Sequence, residues 1–188
     1  MVNFSGCLGI FKIACMTIIL FQELGFSWEG KVLQINPPLN FSVKAEVAAV
    51  LPFIDEDKVL LLQRLATHPQ ANLWCAPGGK INANETPSFA ALRELYEETE
   101  IEIDPVSLIY LGKFYVQYPN GDFIFHLFKT RLSQKNVNVK IREDEHQAFC
   151  FCPIQDIHTL SLTPGLEECF DLACKEERSI DEMTFELP

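Results

Sequence analysis

The residues able to do chemistry are concentrated between positions 77 and 101. Pro77-Gly78-Gly79-Lys80 is followed by Glu85 and then by Arg93-Glu94-Leu95-Tyr96-Glu97-Glu98-Thr99-Glu100-Ile101. Thr86-Pro87 is a helix start: a hydroxyl caps free N–H groups, and proline sits where its missing N–H costs nothing. A helix is therefore predicted over about 87–99. At about 100° per residue, Phe89, Leu92, Leu95 and Tyr96 share a face expected to pack, and Glu94, Glu97 and Glu98 lie opposite, flanked by Ala90 and Ala91. Like charges three and four residues apart destabilise a helix by a few tenths of a kcal/mol per pair. Two readings follow. The carboxylates form either a solvated acidic face or oxygen ligands for a hard dication such as Mg²⁺, which is shared between a few carboxylates and substrate phosphates. The upstream glycines favour the second, because they permit close backbone approach.

Gly79 to Ile101 resembles the Nudix box, G-x5-E-x7-R-E-U-x-E-E-x-G-U with U a bulky aliphatic residue, and eight of its nine specified positions match. The exception is Glu100, which stands where the family has glycine. The resemblance implies a Mg²⁺-dependent hydrolase, with Mn²⁺ as an alternative metal, that directs water at a diphosphate phosphorus. It implies Glu94, Glu97, Glu98 and the Gly78 carbonyl as metal ligands, and Arg93 as the group that holds a carboxylate in place. Gly78, Gly79, Lys80 and Glu85 would serve the substrate and metal loop. The base would be a box glutamate or Glu145 of Arg142-Glu143-Asp144-Glu145-His146. Many members carry such a Glu-His pair followed by Trp, where this chain has Phe151. The other reading of 142–146 is an exposed polar loop before a strand. Glu100 leaves two outcomes for the helix exit: a left-handed residue at a cost on the order of 1 kcal/mol, or a helix that runs on toward Ile101.

The elements that must position these residues read as follows. Val43 to Ile54 and Lys58 to Arg64 are predicted strands around Asp55-Glu56-Asp57, rich in Val, Ile and Leu. Leu73 to Ala76 is a short buried strand leading into the glycines. Leu108 to Gln117 and Asp122 to Leu132 form a hairpin with Asn120-Gly121 at its tip. Gln147 to Cys152 is a strand, Ile154 to Leu160 a short helix, and Pro164 to Arg178 a longer amphipathic one. Strands on both sides of a central helix, ending in another helix, predict an α/β/α sandwich around a central mixed sheet. The Nudix fold has this layout, and the resemblance covers residues 43–178.

The organisation expected is an N-terminal apolar segment at 1–27, a connection at 28–42, the catalytic domain at 43–178 and a tail at 179–188. Ile13 to Phe21 is apolar, with Lys12 before it and Gly25-Phe26-Ser27 after it. That is the outline of a signal segment, though short for a membrane span. A start assigned too early, with Met16 as the true start, or an element packed on the domain are the other readings. The expected location is cytoplasmic, with export or membrane attachment through residues 1–27 as the alternative.

A net charge of −11 over 188 residues argues against a nucleic-acid polymer as partner, since phosphate backbones reward basic stripes. A nucleotide or other small diphosphate remains compatible, because a metal can carry the phosphate charge. Seven cysteines without regular spacing read as reduced, and Cys150 and Cys152 as core residues sharing a strand face. His68, His126 and His158 have no partnered motif.

Trp74, ahead of the glycines, resembles MutT-type members acting on nucleoside triphosphates. The expected substrate is thus a nucleoside diphosphate linked to another moiety, above all a nucleoside triphosphate or related nucleotide. Of Phe114, Tyr115, Tyr118, Phe123 and Phe125, at least three are expected in the core and the rest are candidates for base stacking. The alternative function is a catalytically weak Nudix-fold module that binds nucleotides or regulates.

Overall fold

A computed structural model describes residues 32–174 except Glu56, Asn120 and 134–136. Segment 1–27, the tail at 179–188 and the end of the last expected helix lie outside the described residues. Seven strands form one mixed sheet: β1 (Val43–Ile54), β2 (Lys58–Arg64), β3 (Trp74–Cys75), β4 (Gly78–Lys80), β5 (Ile109–Val116), β6 (Asp122–Leu132) and β7 (His146–Pro153). Helix α1 (Pro87–Thr99) lies on one face and helix α2 (166–174) on the other. Of the predicted strands, the 43–54 and 58–64 pair and the long hairpin are found close to their expected bounds, and Ile154–Thr159 forms a 3₁₀ helix.

Strand β6 runs parallel to β1 along nearly all of its length, and the other pairings are antiparallel. On its other edge β1 changes partner: Phe53 and Ile54 pair with Val59 and Lys58, whereas Val47 to Ala49 pair with Lys80 to Gly78. The two long strands part after that short contact, and the β3–β4 segment fills the opening. Val50 N–H donates to the Pro77 carbonyl at 3.0 Å, which fixes the entry to the glycines.

Both sheet faces are buried, so the central strands read as nearly unbroken apolar runs whose alternate residues serve opposite cores. Ala48, Val50, Leu60 and Leu62 pack beneath Ala90, Ala91 and Leu95 of α1. Leu51, Phe53, Val59 and Leu61 pack with Phe114, Leu127, Cys152, Leu166 and Phe170 on the α2 side. Tyr118, Phe123, Phe125 and Cys150 rest against that second core, so four of the five hairpin aromatics pack there and Tyr115 does not. Residues 32–34, inside the segment read as a connection, join the domain. Leu33 is buried, Gln34 pairs with Tyr115, and the Glu168 carboxylate accepts the N–H groups of Val32 and Leu33.

The packing face of α1 differs from the expected one. Phe89 is 67 % and Tyr96 48 % exposed, while Ala90, Ala91, Leu95, Glu98 and Thr99 are buried. Alanines let the helix axis come close to the sheet, and an aromatic in their place would hold it off. The buried stripe is therefore set by small size as well as hydrophobicity, and it carries Glu98 inward.

No helix among the described residues is long and apolar enough to cross a membrane.

Candidate active site

Three local structures meet at the C-terminal half of α1. The helix begins as its sequence requires, with Thr86 Oγ1 accepting the Phe89 N–H at 3.3 Å. It ends with Glu100 in the left-handed region, at φ 55° and ψ 18°, donating its N–H to the Tyr96 carbonyl. Of the two exits expected at this position, the chain takes the strained one. Beyond it, Lys140 and Arg142 N–H groups donate to the Thr99 and Glu98 carbonyls at 3.0 and 3.1 Å. Carbonyls left free by the helix end are thus satisfied by the 140–142 segment, which delivers Glu145 and His146 to the same end.

The glycines form the opposing wall. A Cβ at Gly78 would lie 2.6 Å from the Ala48 carbonyl oxygen and from Ala49 Cβ, and a Cβ at Gly79 would run into the Glu94 carboxylate. Gly78 requires glycine for lack of space rather than for backbone conformation, whereas at Gly79 the obstacle is the end of the flexible Glu94 side chain. Gly78 donates its N–H to Glu98 Oε2 at 3.0 Å.

The expected site residues divide into two groups. Arg93 is a hub: its Nε and Nη2 donate to Glu85, its Nη1 to Glu94 Oε1 at 2.7 Å and to Glu97 Oε2 at 3.3 Å, and its Nη2 to the Lys80 carbonyl. Glu85 also accepts the Asn82 N–H, so it braces the loop between β4 and α1. Arg142 lies 3.8 Å from Glu97 and 3.1 Å from Glu145. Glu98 stands apart from the Arg93 hub. It is 3 % exposed, and its ligand atom lies within 4.8 Å of those of Glu145 and His146. Of the metal ligands implied by the sequence, the structure gathers Glu98 with Glu145, while Glu94 and Glu97 face Arg93. Lys80 is exposed at the end of β4.

Electrostatics distinguishes the carboxyls. The Arg93 guanidinium, aided by the Asn82 N–H, pulls Glu85 down from 4.5 to about 2. Burial pushes Glu98 up from 4.5 to about 8, with the charges of Glu94 and Glu145 acting the same way and the Gly78 N–H against them. Glu94 is raised as well, again mainly by burial, against the pull of Arg93. A desolvated carboxyl beside other carboxyls is the environment a dication relieves, so this donor set fits one.

His146, named from the sequence only beside Glu145, and Cys75 are neighbours to which motif and spacing assigned no role. His146 is 1 % exposed, with Nε2 3.9 Å from Glu98 Oε1 and 3.8 Å from Cys75 Sγ, and its Nδ1 has no hydrogen-bond partner. Burial, followed by the charges of Arg64, His68 and Arg142, lowers it to about 4. Its position next to Glu145 in the chain was the available signal. Nothing in the spacing connects Cys75 to either.

The family model described as the NUDIX domain matches residues 44–172. An uncharacterized Nudix hydrolase, YvcI of Bacillus subtilis, is 31 % identical over 122 residues, covering 64 % of this chain and 73 % of that protein. The CTP pyrophosphohydrolase of Escherichia coli is 30 % identical over 122 residues, covering 63 % of this chain and 84 % of that one. Among solved structures, a MutT protein from Methanosarcina mazei superposes with a TM-score of 0.63 at 22 % identity, over 74 % of this chain and 99 % of its own, a likeness of fold.

Proposed function

Because the chain belongs to the Nudix family of hydrolases, we propose that it cleaves the diphosphate bond of a nucleoside diphosphate linked to another moiety, most directly a nucleoside triphosphate or related nucleotide, with Mg²⁺ or Mn²⁺. The observation that carries this reading is the buried Glu98 carboxyl, held by the Gly78 N–H with its ligand atom within 4.8 Å of that of Glu145. The similarity to a CTP pyrophosphohydrolase supports the triphosphate as first substrate class.

Glu98, Glu94, Glu97 and the Gly78 carbonyl would hold the metal, which when bound supplies charge neutralisation at phosphate and a water of lowered pKa. The chain's own groups then have separable tasks. Arg93 fixes the carboxylates of Glu94 and Glu97 by charge-assisted hydrogen bonds. Glu85 in turn fixes Arg93, so the two acids are oriented before substrate arrives. Gly79 leaves room for the Glu94 carboxylate. The exposed Lys80 ammonium would meet a phosphate oxygen. Glu145, anchored by Arg142, takes the proton from the attacking water, within reach of the same cluster as Glu98.

The test is a product-release screen of the full chain with Mg²⁺ against nucleoside triphosphates, oxidised nucleotides, ADP-ribose, nucleotide sugars and diadenosine polyphosphates. Release of pyrophosphate or phosphate from one class supports the reading. Calorimetric binding of a nucleotide without turnover across the panel replaces it with the binding module.

A further inference from the structure

The pairing of β7 with β2 is irregular beside the site. Leu62 and Arg64 lie two residues apart on β2, but their partners on β7, Phe149 and His146, lie three apart. Gln147 is therefore an extra residue, and the ladder shifts by one position between Gln63 and Arg64. Side chains alternate between the faces of a strand, so a shift of one position decides which of them β7 turns toward α1. Without it, Gln147 would stand opposite Arg64, and Glu145 and His146 would each slip along β2 and change face. With it, His146 Nε2 comes within 3.9 Å of Glu98 Oε1, and the Glu145 carbonyl accepts the Leu65 N–H at 3.1 Å. An extra residue of this kind is a recurrent way to re-aim side chains next to a site.

Burial does not fix the register at this end of β7. Among the described residues the strand pairs with β2 alone, so it is held from one side. From Phe149 to Cys152 the side chains serve the two cores alternately, whereas Gln147 is polar and exposed. A polar stretch has no apolar face whose exposure would penalise a slip.

Asn72, in the loop from β2 to β3, bonds to the three residues at the shift. Its N–H donates to the Arg64 carbonyl at 3.2 Å, its carbonyl accepts Gln63 Nε2 at 3.1 Å, and its Oδ1 accepts Gln147 Nε2 at 2.9 Å. It sits at a φ of 63°, in the left-handed region that asparagine enters more readily than most side chains. From this convergence we propose that Asn72 is a positioning residue: it grips Gln147, holds the one-residue shift of β7, and so sets Glu145 for its work on the attacking water. The catalytic half of the proposal rests on the reading of Glu145 as the base, whereas the hold on β7 rests on the register alone.

The experiment uses the full chain and three variants. Asn72→Gly removes the grip yet keeps the left-handed backbone, Gln147→Ala removes its other end, and Asn72→Asp retains the acceptor oxygen. Amide hydrogen exchange of the metal-free protein, followed by NMR, reads the register without turnover. The Leu65 amide should exchange roughly two- to tenfold faster in Asn72→Gly and Gln147→Ala, the worth of one hydrogen bond, and at the wild-type rate in Asn72→Asp. The Leu60 amide, farther along β2, should keep its rate in all three. Kinetics with Mg²⁺ and ATP, CTP, GTP or UTP should show kcat lower by the same factor in Asn72→Gly, with KM within about twofold of wild type, and recovery in Asn72→Asp. Added to Glu145→Gln, Asn72→Gly should cost no further rate, because the group it positions is already gone. Unchanged exchange at Leu65, or a kcat loss that adds in full to that of Glu145→Gln, overturns the proposal. If none of these nucleotides is turned over, the hydrolase reading falls, and exchange at Leu65 by itself upholds or overturns the hold on β7.

Discussion

Gly78 donates its backbone N–H to Glu98 Oε2 at 3.0 Å, and the same glycine pairs with Ala49 in a space that no side chain could share. One residue therefore seats the β4 edge and aims a buried carboxylate. Gly78→Ala should lower stability by roughly 1–3 kcal/mol, because its Cβ meets backbone and a neighbouring Cβ that cannot move away. Gly79→Ala should fold better yet lose activity, since its Cβ meets the end of the flexible Glu94 side chain. Urea unfolding beside a turnover assay separates the two, and equal stability loss in both would contradict the packing argument.

Glu98 should make the metal-free protein sensitive to pH. Its pKa rises from 4.5 to about 8 on folding, so the stability it contributes is full below 4.5 and is lost as pH rises through about 8. Thermal midpoints in EDTA should fall across that window, and Glu98→Gln should flatten this part of the dependence. Mg²⁺ should raise the midpoint more at pH 8 than at pH 5, because proton and metal compete for one carboxyl. Turnover of Glu98→Gln should drop at least ~10²-fold.

Glu85 should show the opposite sign. Its pKa falls from 4.5 to about 2, so its contribution is present above 4.5 and lost as pH falls through about 2. Glu85→Gln should abolish this acid-side dependence in circular dichroism melts between pH 5 and 2. An unchanged acid limb would mean that Arg93 is held by its other partners.

Glu145→Gln should slow hydrolysis while leaving the thermal midpoint in EDTA within about 1 °C, as expected for a surface substitution of small effect on stability. A rate equal to wild type would return the base to one of the α1 glutamates.

Glu100→Gly should stabilise the protein by about 0.5–1 kcal/mol. The left-handed φ of 55° costs a non-glycine residue on the order of 1 kcal/mol. The exposed Lys140–Glu100 ion pair at 2.6 Å returns only a fraction of that. A higher urea midpoint with unchanged turnover is the expected result, and a lower midpoint would show that the ion pair outweighs the strain.

Much of the frame was legible in the chain. The Thr86-Pro87 start, the strand pair at 43–64 and the β5–β6 hairpin follow from local propensities, which act over a few residues and leave their mark in composition and period. The packed face of α1 was not legible that way. Phe89 and Tyr96 are the larger apolar residues, yet Ala90 and Ala91 are the ones buried. How close a helix comes to its sheet depends on both surfaces, here the alanines and the Ala48 beneath them.

By itself the sequence determined which residues carry oxygen donors, where α1 begins and that a glycine pair precedes it, because each is a matter of type and spacing within one segment. Only the tertiary structure decided that Arg93 engages Glu85, Glu94 and Glu97, that Glu98 turns inward to Glu145 and His146, and that Cys75 lies against His146. Those contacts arise where β1 and β2 part and the 140–142 segment closes the end of α1. They depend on separations of a few ångströms between atoms far apart in the chain, which no periodicity within a single element encodes.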